Sequence, residues 1–274
     1  MKKQPSPSRE INRRIHRKSF QQAMQLHQQD KLDQAELCYM AILTAQPNHF
    51  DARHLLGVLR FQQGLYTEAL DHIGAALQMK PNSVSALSNL SVVLRTLGQN
   101  ERALASCDKA LAIKPDYAEA LNNRGLTSLL TGDFLSGWAD YERRWDRKGA
   151  SQRKLIAPYP AWKGEDIRGK SIIVYEEQGL GDVIQFTRYL LRLNLLGARV
   201  TFLIRSDMHR LLQPFASMIR LTDKVCPGDT FDFQCALLSL PVAFRTTLDT
   251  VPSDVRYLVS EAPLTARWRQ YIGG

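Results

Sequence analysis

A period of 34 residues in the first half of the chain constrains its fold more than any other feature. Residues 63–70 and 97–104 align when the sequence is shifted by 34 positions, and the same shift relates Pro81 to Pro115 and Gly57 to Ser91. A fixed period of this length is typical of stacked supersecondary units, each of which buries its apolar face against its neighbours. We therefore predict a helical repeat array here.

Each unit is predicted to contain two helices. Apolar residues recur at steps of three and four, as in Leu87, Leu90 and Leu94, which places them on one helix face. Gly98 stands where a tight turn favours a residue without a Cβ, and Pro115 ends the second helix. The pattern resembles the tetratricopeptide repeat, a helix–turn–helix unit of about 34 residues. This resemblance implies an array that binds a protein or peptide partner in a groove lined by the first helices.

Two asparagines occupy the same position in successive units of this groove. Asn89 and Asn123 are 34 residues apart, whereas Leu55 holds the position in the unit before. A side-chain amide both donates and accepts hydrogen bonds, so it can hold a peptide backbone of any sequence. The repeats resemble those of protein-modifying glycosyltransferases, in which asparagines at the matching position clamp an extended peptide. The alternative is a pair of solvent-exposed helix asparagines.

The basic charge of the chain is concentrated at its amino terminus. The net charge is +9, and residues 1–18 hold seven Lys or Arg and one Glu, which leaves +3 for the remainder. The high pI therefore describes a tail. Contact of this tail with a phosphate surface is one interpretation. No aromatic residues are interleaved there, so we favour a solvated tail and expect no nucleic-acid partner.

The sequence contains no membrane or metal signal. No apolar run approaches about 18 residues, so no membrane span is predicted, and the amino terminus lacks the apolar core of a secretory signal. The histidines are scattered, and the cysteines lack metal-ligand spacing: Cys38, Cys107, Cys226 and Cys235. We expect reduced cysteines in a cytoplasmic protein, and neither a metal nor a cofactor.

The second half alternates between short strands and helices. A β-branched run at 171–175 predicts a buried strand, and a helical pattern follows it. Further short strands are predicted at 198–204, 219–221 and 233–237, with a last helix at 262–272. This order predicts a Rossmann-like parallel sheet. The predicted domains are a basic disordered tail at 1–15, a repeat array of about four units at 16–148, a linker at 149–161 and an α/β lobe at 162–274.

The turn after the first predicted strand contains the candidate chemistry. Its sequence, Glu-Glu-Gln-Gly-Leu-Gly-Asp at 176–182, would lie at the carboxyl edge of the sheet, where open α/β folds bind ligands. The third glycine of a dinucleotide fingerprint is replaced by Ile184, and the carboxylates would repel a pyrophosphate. The turn suits hydroxyl groups better, because a carboxylate accepts hydrogen bonds and can take a proton as general base.

A second resemblance rests on this turn and its surroundings. The residues that carry it are Trp162, Gly164, Gly169, the 177–182 segment, Gln185-Phe186, Arg188-Tyr189, Phe231-Asp232, the Leu-Ser-Leu-Pro of 238–241 and Tyr257-Leu258. They resemble a bacterial family in which tetratricopeptide repeats precede a GT-B glycosyltransferase-like domain related to the heptosyltransferases. The resemblance implies Asp182 as base on a sugar-acceptor hydroxyl, and a substrate site that includes Glu177, Gln178, Gly179, Gly181, Gln185 and Arg188. The alternative for Asp182 is a capping role at the following helix.

These resemblances leave two hypotheses for function. GT-B enzymes use two Rossmann-like lobes, and the length of this chain accommodates one of them. The first hypothesis is therefore an interaction module fused to the acceptor-side half of a glycosyltransferase-like domain. The alternative is a glycosyltransferase that moves a sugar from a nucleotide-sugar to a protein or polysaccharide acceptor, with the repeats recruiting the substrate.

Overall fold

The computed structural model describes residues 7–147, 159–253 and 257–272, with the side chains of residues 7–17 outside the description. The chain separates into two compact units. One comprises Met1–Gly132 with Asp146–Lys148, and the other comprises Asp133–Trp145 with Gly149–Gly274. Each unit builds apolar cores of its own.

The first unit is a stack of helix pairs. Its helices are α1 (Pro7–Gln28), α2 (Leu32–Ala45), α3 (Phe50–Gln62), α4 (Tyr66–Met79), α5 (Val84–Thr96), α6 (Asn100–Ile113) and α7 (Ala118–Thr131). The starts of α3, α5 and α7 are 34 residues apart, as are those of α2, α4 and α6. The predicted repeat array is therefore confirmed, including its register.

The turn between the two helices of a repeat requires a residue that tolerates left-handed backbone angles. Gly64 and Gly98 adopt left-handed backbone angles, with φ of 80° and 72°. Asp30 takes the equivalent place between α1 and α2, with φ of 59°. Aspartate enters the left-handed region more readily than most residues with a Cβ. The first repeat therefore keeps the turn without a glycine.

Small residues allow the two helices of a repeat to approach each other. Ala69 in α4 and Ala103 in α6 are completely buried. Gly57 in α3 faces α4 so closely that a Cβ added there would lie 2.6 Å from Cγ1 of Ile73. Helix packing in the array is consequently sensitive to side-chain volume at these positions.

The amino-terminal helix is longer than the sequence indicates. Helix α1 begins at Pro7, so it includes residues 7–15, which the sequence analysis assigns to a disordered tail. Arginine, lysine and glutamate have high helix propensity, which permits this extension. Residues 1–6 of the predicted tail lie outside the described residues.

The second unit contains a four-stranded parallel sheet. Its strands are β1 (Ser171–Tyr175), β2 (Arg199–Leu203), β3 (Arg220–Thr222) and β4 (Phe233–Ala236), in the order β3-β2-β1-β4. Ile173 of β1 pairs with Thr201 on one side and with Gln234 on the other. The predicted parallel α/β fold is therefore confirmed. Strands are added first on one side of β1 and then on the other, which opens a crevice between the carboxyl ends of β1 and β4.

Helices cover this sheet and position its loops. They are α8 (Phe134–Tyr141), α9 (Leu180–Phe186), α10 (Arg188–Leu195), α11 (His209–Leu212), α12 (Leu240–Ala243) and α13 (Ala262–Ile272). The single helix predicted after β1 is interrupted at Thr187, whose Oγ1 donates to the carbonyl of Val183. Trp138 of α8 packs edge-on against Phe186, with ring centroids 5.6 Å apart.

The structure differs from the sequence-based prediction around both predicted domain boundaries. The 16–148 range includes α8, whereas α8 packs with the second unit through its aromatic side chains. Residues 149–158 of the predicted linker lie outside the described residues. Ala161, near the end of that linker, forms a parallel bridge with Gln234 and so extends the sheet beyond β4.

Candidate functional site

The two asparagines of the repeat groove are hydrogen-bonded between first helices. Nδ2 of Asn89 in α5 lies 3.0 Å from Nε2 of His54 in α3. Nδ2 of Asn123 in α7 donates to Oγ of Ser88 at 3.1 Å and to its carbonyl at 3.3 Å. Each amide therefore links its own helix to the first helix of the preceding repeat.

These bonds orient the amides. Burial lowers the pKa of His54 below its ordinary value of 6.5, with the charge of Asp51 opposing the shift. The imidazole is thus neutral near pH 7, and its Nε2 can accept from the amide of Asn89. Within the described residues, Oδ1 of Asn89 and Oδ1 of Asn123 receive no hydrogen bond. Both side chains are half-buried, so each leaves a carbonyl acceptor available to a ligand.

An apolar floor accompanies this pair. Val58, Val92 and Leu126 stand three residues after the asparagine position in α3, α5 and α7, and all three are half-buried. Residues three apart on a helix share a face. The first helices therefore present a row of apolar side chains beside the two amides.

The turn after β1 forms the second candidate site. Gln178 has a φ of 64°, and Gly179 precedes the first residue of α9. Asp182 is the third residue of α9, and its Oδ2 accepts from the backbone N–H of Gly179 at 3.1 Å. This is a helix-capping contact from within the first turn. The Asp182 side chain is nevertheless half-exposed.

Glu177 of the same turn is buried in an ion pair. Arg144 donates to it twice, from Nε to Oε2 at 2.9 Å and from Nη2 to Oε1 at 2.7 Å. The backbone N–H of Leu238 adds a bond of 3.1 Å to Oε1. Both side chains of the pair are 4% exposed. The Glu177 carboxylate therefore lies at the crevice between β1 and β4, where its oxygens already accept hydrogen bonds from Arg144 and Leu238.

Arg144 is the centre of a larger polar cluster. Its Nη1 donates to Glu142 at 2.6 Å and its Nη2 to Oγ of Ser239 at 2.8 Å. The Ser239 hydroxyl donates in turn to Glu142. Burial by itself would lower the pKa of the guanidinium, but the hydrogen bonds and charges of Glu177 and Glu142 raise it above its ordinary value. Arg144 is therefore a permanent cation shared by two carboxylates.

Sequence reasoning missed this cluster because its members are far apart in the chain. Arg144 is 33 residues before Glu177, and Ser239 is 95 residues after Arg144. The sequence signals were Glu177 in the 177–182 segment and the Leu-Ser-Leu-Pro segment that contains Ser239, and neither pointed to Arg144 as a partner.

The remaining predicted residues of the turn divide into two groups. Gln178, Gly179, Gly181 and Gln185 are exposed around Asp182. Arg188 is directed elsewhere, because its Nη1 donates to the carbonyl of Pro252 at 2.7 Å and its guanidinium lies 4.6 Å from the ring centroid of Tyr257.

Another acidic residue of the turn, Glu176, is also paired. Oε2 of Glu176 accepts from Nε of Arg205 at 3.1 Å, and its Oε1 accepts from the Arg205 backbone N–H. Of the carboxylates in this turn, Asp182 is the one with the most solvent access.

Comparison with protein families identifies the repeats. The tetratricopeptide repeat family matches residues 20–84, and a second TPR repeat family matches residues 92–132. Residues 20–132 are therefore tetratricopeptide repeats. A parallel four-stranded α/β region follows them.

Three individual proteins are similar to the chain. Protein FlbA of Caulobacter vibrioides is 24% identical over 167 residues, which cover 54% of this chain and 28% of FlbA. Among solved structures, the type IV pilus biogenesis factor PilW has a TM-score of 0.45 at 24% identity, covering 49% of this chain and 63% of PilW. MamA from Desulfovibrio magneticus has a TM-score of 0.44 at 18% identity, covering 50% of this chain and 77% of MamA. The chain thus spans little more than a quarter of the curated relative that it matches.

Within residues 7–147, 159–253 and 257–272, none of the helices combines the length and apolar composition of a bilayer span. In the same residues, no three histidine, cysteine, aspartate or glutamate side chains gather into a cluster suited to a metal ion.

Proposed function

We propose that the tetratricopeptide repeats bind an extended segment of a protein partner through Asn89 and Asn123. The observation that carries this proposal is the pair of amide carbonyls that receive no hydrogen bond from the described residues, beside the apolar row of Val58, Val92 and Leu126. The Nδ2 atom of each amide is oriented by the preceding first helix, so each Oδ1 accepts a backbone N–H of the bound segment. The apolar row contacts its side chains.

The spacing of the two asparagines favours a polyproline-II-like segment. Packed neighbouring helices lie about 8–10 Å apart, and α5 packs against α7. A polyproline-II segment returns an equivalent backbone group to the same side every three residues, about 9 Å along its axis. Two N–H groups three residues apart therefore match asparagines on adjacent first helices.

The test measures a selected peptide against variants of the groove. Peptides chosen on the full chain by phage display are titrated by fluorescence polarisation. The double variant Asn89→Ala with Asn123→Ala loses two hydrogen bonds, so affinity falls by about tenfold or more. Asn82→Ala, an exposed turn position of the same array, keeps wild-type affinity. Equal affinity of the double variant and the wild type, with circular dichroism unchanged, would contradict the proposal.

We propose as a second candidate that the α/β region supplies the acceptor side of a glycosyl transfer. The exposed glutamines Gln178 and Gln185 around the half-exposed Asp182 favour it. Asp182 would take the proton of an acceptor hydroxyl. The hydroxyl oxygen bonds to the anomeric carbon of a nucleotide-sugar while the bond to the nucleoside diphosphate breaks.

Release of nucleoside diphosphate tests this second candidate. The purified chain is incubated with a panel of nucleotide-sugars and sugar or peptide acceptors. Acceptor-dependent release is expected from the wild type and from Asp207→Asn, an exposed control in the same unit, and is lost in Asp182→Asn. The absence of release, or equal release by Asp182→Asn, would rule out this role for Asp182.

A further inference from the structure

A cavity lies within the α/β unit, against residues 234–236 of β4. It has a volume of about 480 Å³, within the range of small-molecule sites. Aromatic side chains of Trp145, Trp162 and Tyr175 line it, together with the polar groups of Glu142 and Ser239. Neither function proposed above uses this cavity.

A polar cluster with a net negative charge borders this cavity through Glu142 and Ser239, which line it, whereas Glu177 and Arg144 lie behind them. Glu142 and Glu177 share the single guanidinium of Arg144, so the cluster has a net charge of −1. Burial raises the pKa of Tyr175 to about 12, and the charges of Glu177 and Glu142 contribute while Arg144 opposes them. Burial and the same two carboxylates also raise the pKa of the Cys235 thiol, another lining group.

The described lining residues include one cation, Lys163. Its side chain is exposed. Solvent screens an exposed charge strongly, so Lys163 offsets the carboxylate charge only in part.

Aromatic walls and a net negative charge together suit an organic cation. A cation is attracted to the face of an indole or phenol ring, and more strongly where water is excluded. Trp145 already contacts one cation, since the Arg144 guanidinium lies 4.6 Å from its ring centroid. An anion would be repelled by the excess negative charge of the two carboxylates, and a neutral apolar ligand would leave that charge without a partner.

We propose that this cavity binds a small organic ammonium compound, held by Trp145, Trp162 and Tyr175 and by the charge of Glu142. The ammonium group takes the place of the missing second cation beside the two carboxylates. The apolar substituents of the ligand contact the aromatic walls.

Isothermal titration of the full chain with choline tests the proposal. The comparison ligand is 3,3-dimethylbutan-1-ol, which has the shape of choline without the charge. Ionic strength is held constant with sodium chloride. Choline is expected to bind at least about tenfold more tightly than the alcohol, because the alcohol lacks both the cation–π and the ionic contribution. Equal affinity for the two ligands, or no binding of choline, would overturn the proposal.

Three substitutions locate the site. Glu142→Gln removes the charge at nearly constant shape and weakens choline binding by about tenfold. Glu261→Gln is the control, because it removes an exposed carboxylate near Trp268 in a different groove, and it leaves binding unchanged. Lys163→Glu alters only an exposed rim residue and tightens choline binding without affecting the alcohol. Loss of binding in Glu261→Gln, or indifference to both Glu142→Gln and Lys163→Glu, would refute the assignment.

Discussion

At the scale of single residues, Arg144 has the largest expected effect on the α/β unit. Its guanidinium is buried and satisfies Glu177, Glu142 and Ser239 together. Replacement by methionine leaves the buried carboxylate of Glu177 and the partly exposed carboxylate of Glu142 without their cation. Removing one partner of a buried pair costs about 3–5 kcal/mol. We therefore expect Arg144→Met to lower the free energy of unfolding of this unit by about that amount.

Tryptophan fluorescence during urea denaturation measures this loss. All four tryptophans of the chain, at positions 138, 145, 162 and 268, lie in the α/β unit. The matched control is Arg210→Met, which breaks an exposed bidentate pair with Glu261. Exposed pairs contribute little to stability. A similar, small change in both variants would show that the buried cluster is not a major source of stability.

His54 gives the repeat array a dependence on pH. Burial holds its pKa in the folded state below 6.5, the value expected when unfolded. Between those two pKa values the unfolded chain binds more protons, so stability falls as the pH drops below about 6.5. His72 has a lowered pKa as well, mainly from burial, so it contributes in the same direction.

The contribution of His54 can be isolated by substitution. Thermal unfolding is followed by far-ultraviolet circular dichroism between about pH 7 and about pH 5 for the wild type and for His54→Gln. The variant is expected to lose less stability over this interval, because one of the titrating groups is gone. An identical pH dependence would show that His54 does not titrate below its ordinary pKa.

At the scale of elements, two glycines of the same repeat have opposite predicted responses. Both lie inside helices, Gly57 in α3 and Gly74 in α4. A Cβ at Gly57 would meet Cγ1 of Ile73 at 2.6 Å, whereas a Cβ at Gly74 has nothing within 4 Å. Gly57→Ala therefore overpacks the helix contact and costs about 1–3 kcal/mol. Gly74→Ala removes backbone entropy from the unfolded chain and gains about 0.5–1 kcal/mol.

Chemical denaturation followed by circular dichroism separates the two glycine variants. Midpoints that move in opposite directions agree with the observed helix packing. Stabilisation by both substitutions would mean that α3 and α4 lie farther apart than the structure has them.

The elements themselves were largely predictable from the sequence. The strand at 171–175 and the helix at 262–272 agree with β1 and α13, because a β-branched run and an amphipathic run are local signals. The break between α9 and α10 was not predicted. The apolar periodicity continues across Thr187, so it gives no local signal for the break.

The candidate sites were less predictable than the elements. The pairing of Asn89 with Asn123 could be predicted from the repeat register, because residues 34 positions apart occupy equivalent places in successive repeats. Their hydrogen-bond partners could not be predicted in the same way, because His54 and Ser88 occupy equivalent places in the repeat but have different side chains. The occupation of Glu177 by Arg144 arises from tertiary packing across 33 residues, which no local pattern specifies.

At the scale of the whole molecule, the tetratricopeptide repeats carry the central functional claim. Residues 20–84 and 92–132 match the repeat families, and two amide carbonyls of their first helices receive no hydrogen bond from the part of the chain that the structure describes. We propose that these acceptors recognise a partner by its backbone N–H groups and that the apolar row sets a preference for side chains. The proposed binding therefore depends on the backbone of the partner and not on apolar contacts alone.

The most direct test replaces single peptide N–H groups of the selected ligand by ester oxygens. Each backbone ester removes one donor and leaves the side chains unchanged. Calorimetry with the full chain is expected to identify two positions, three residues apart, where the ester weakens binding by about fivefold to tenfold. At those two positions, the loss of affinity caused by the ester is expected to disappear in the double variant that combines Asn89→Ala with Asn123→Ala. Uniform affinity across all ester positions would contradict backbone recognition by the asparagine pair.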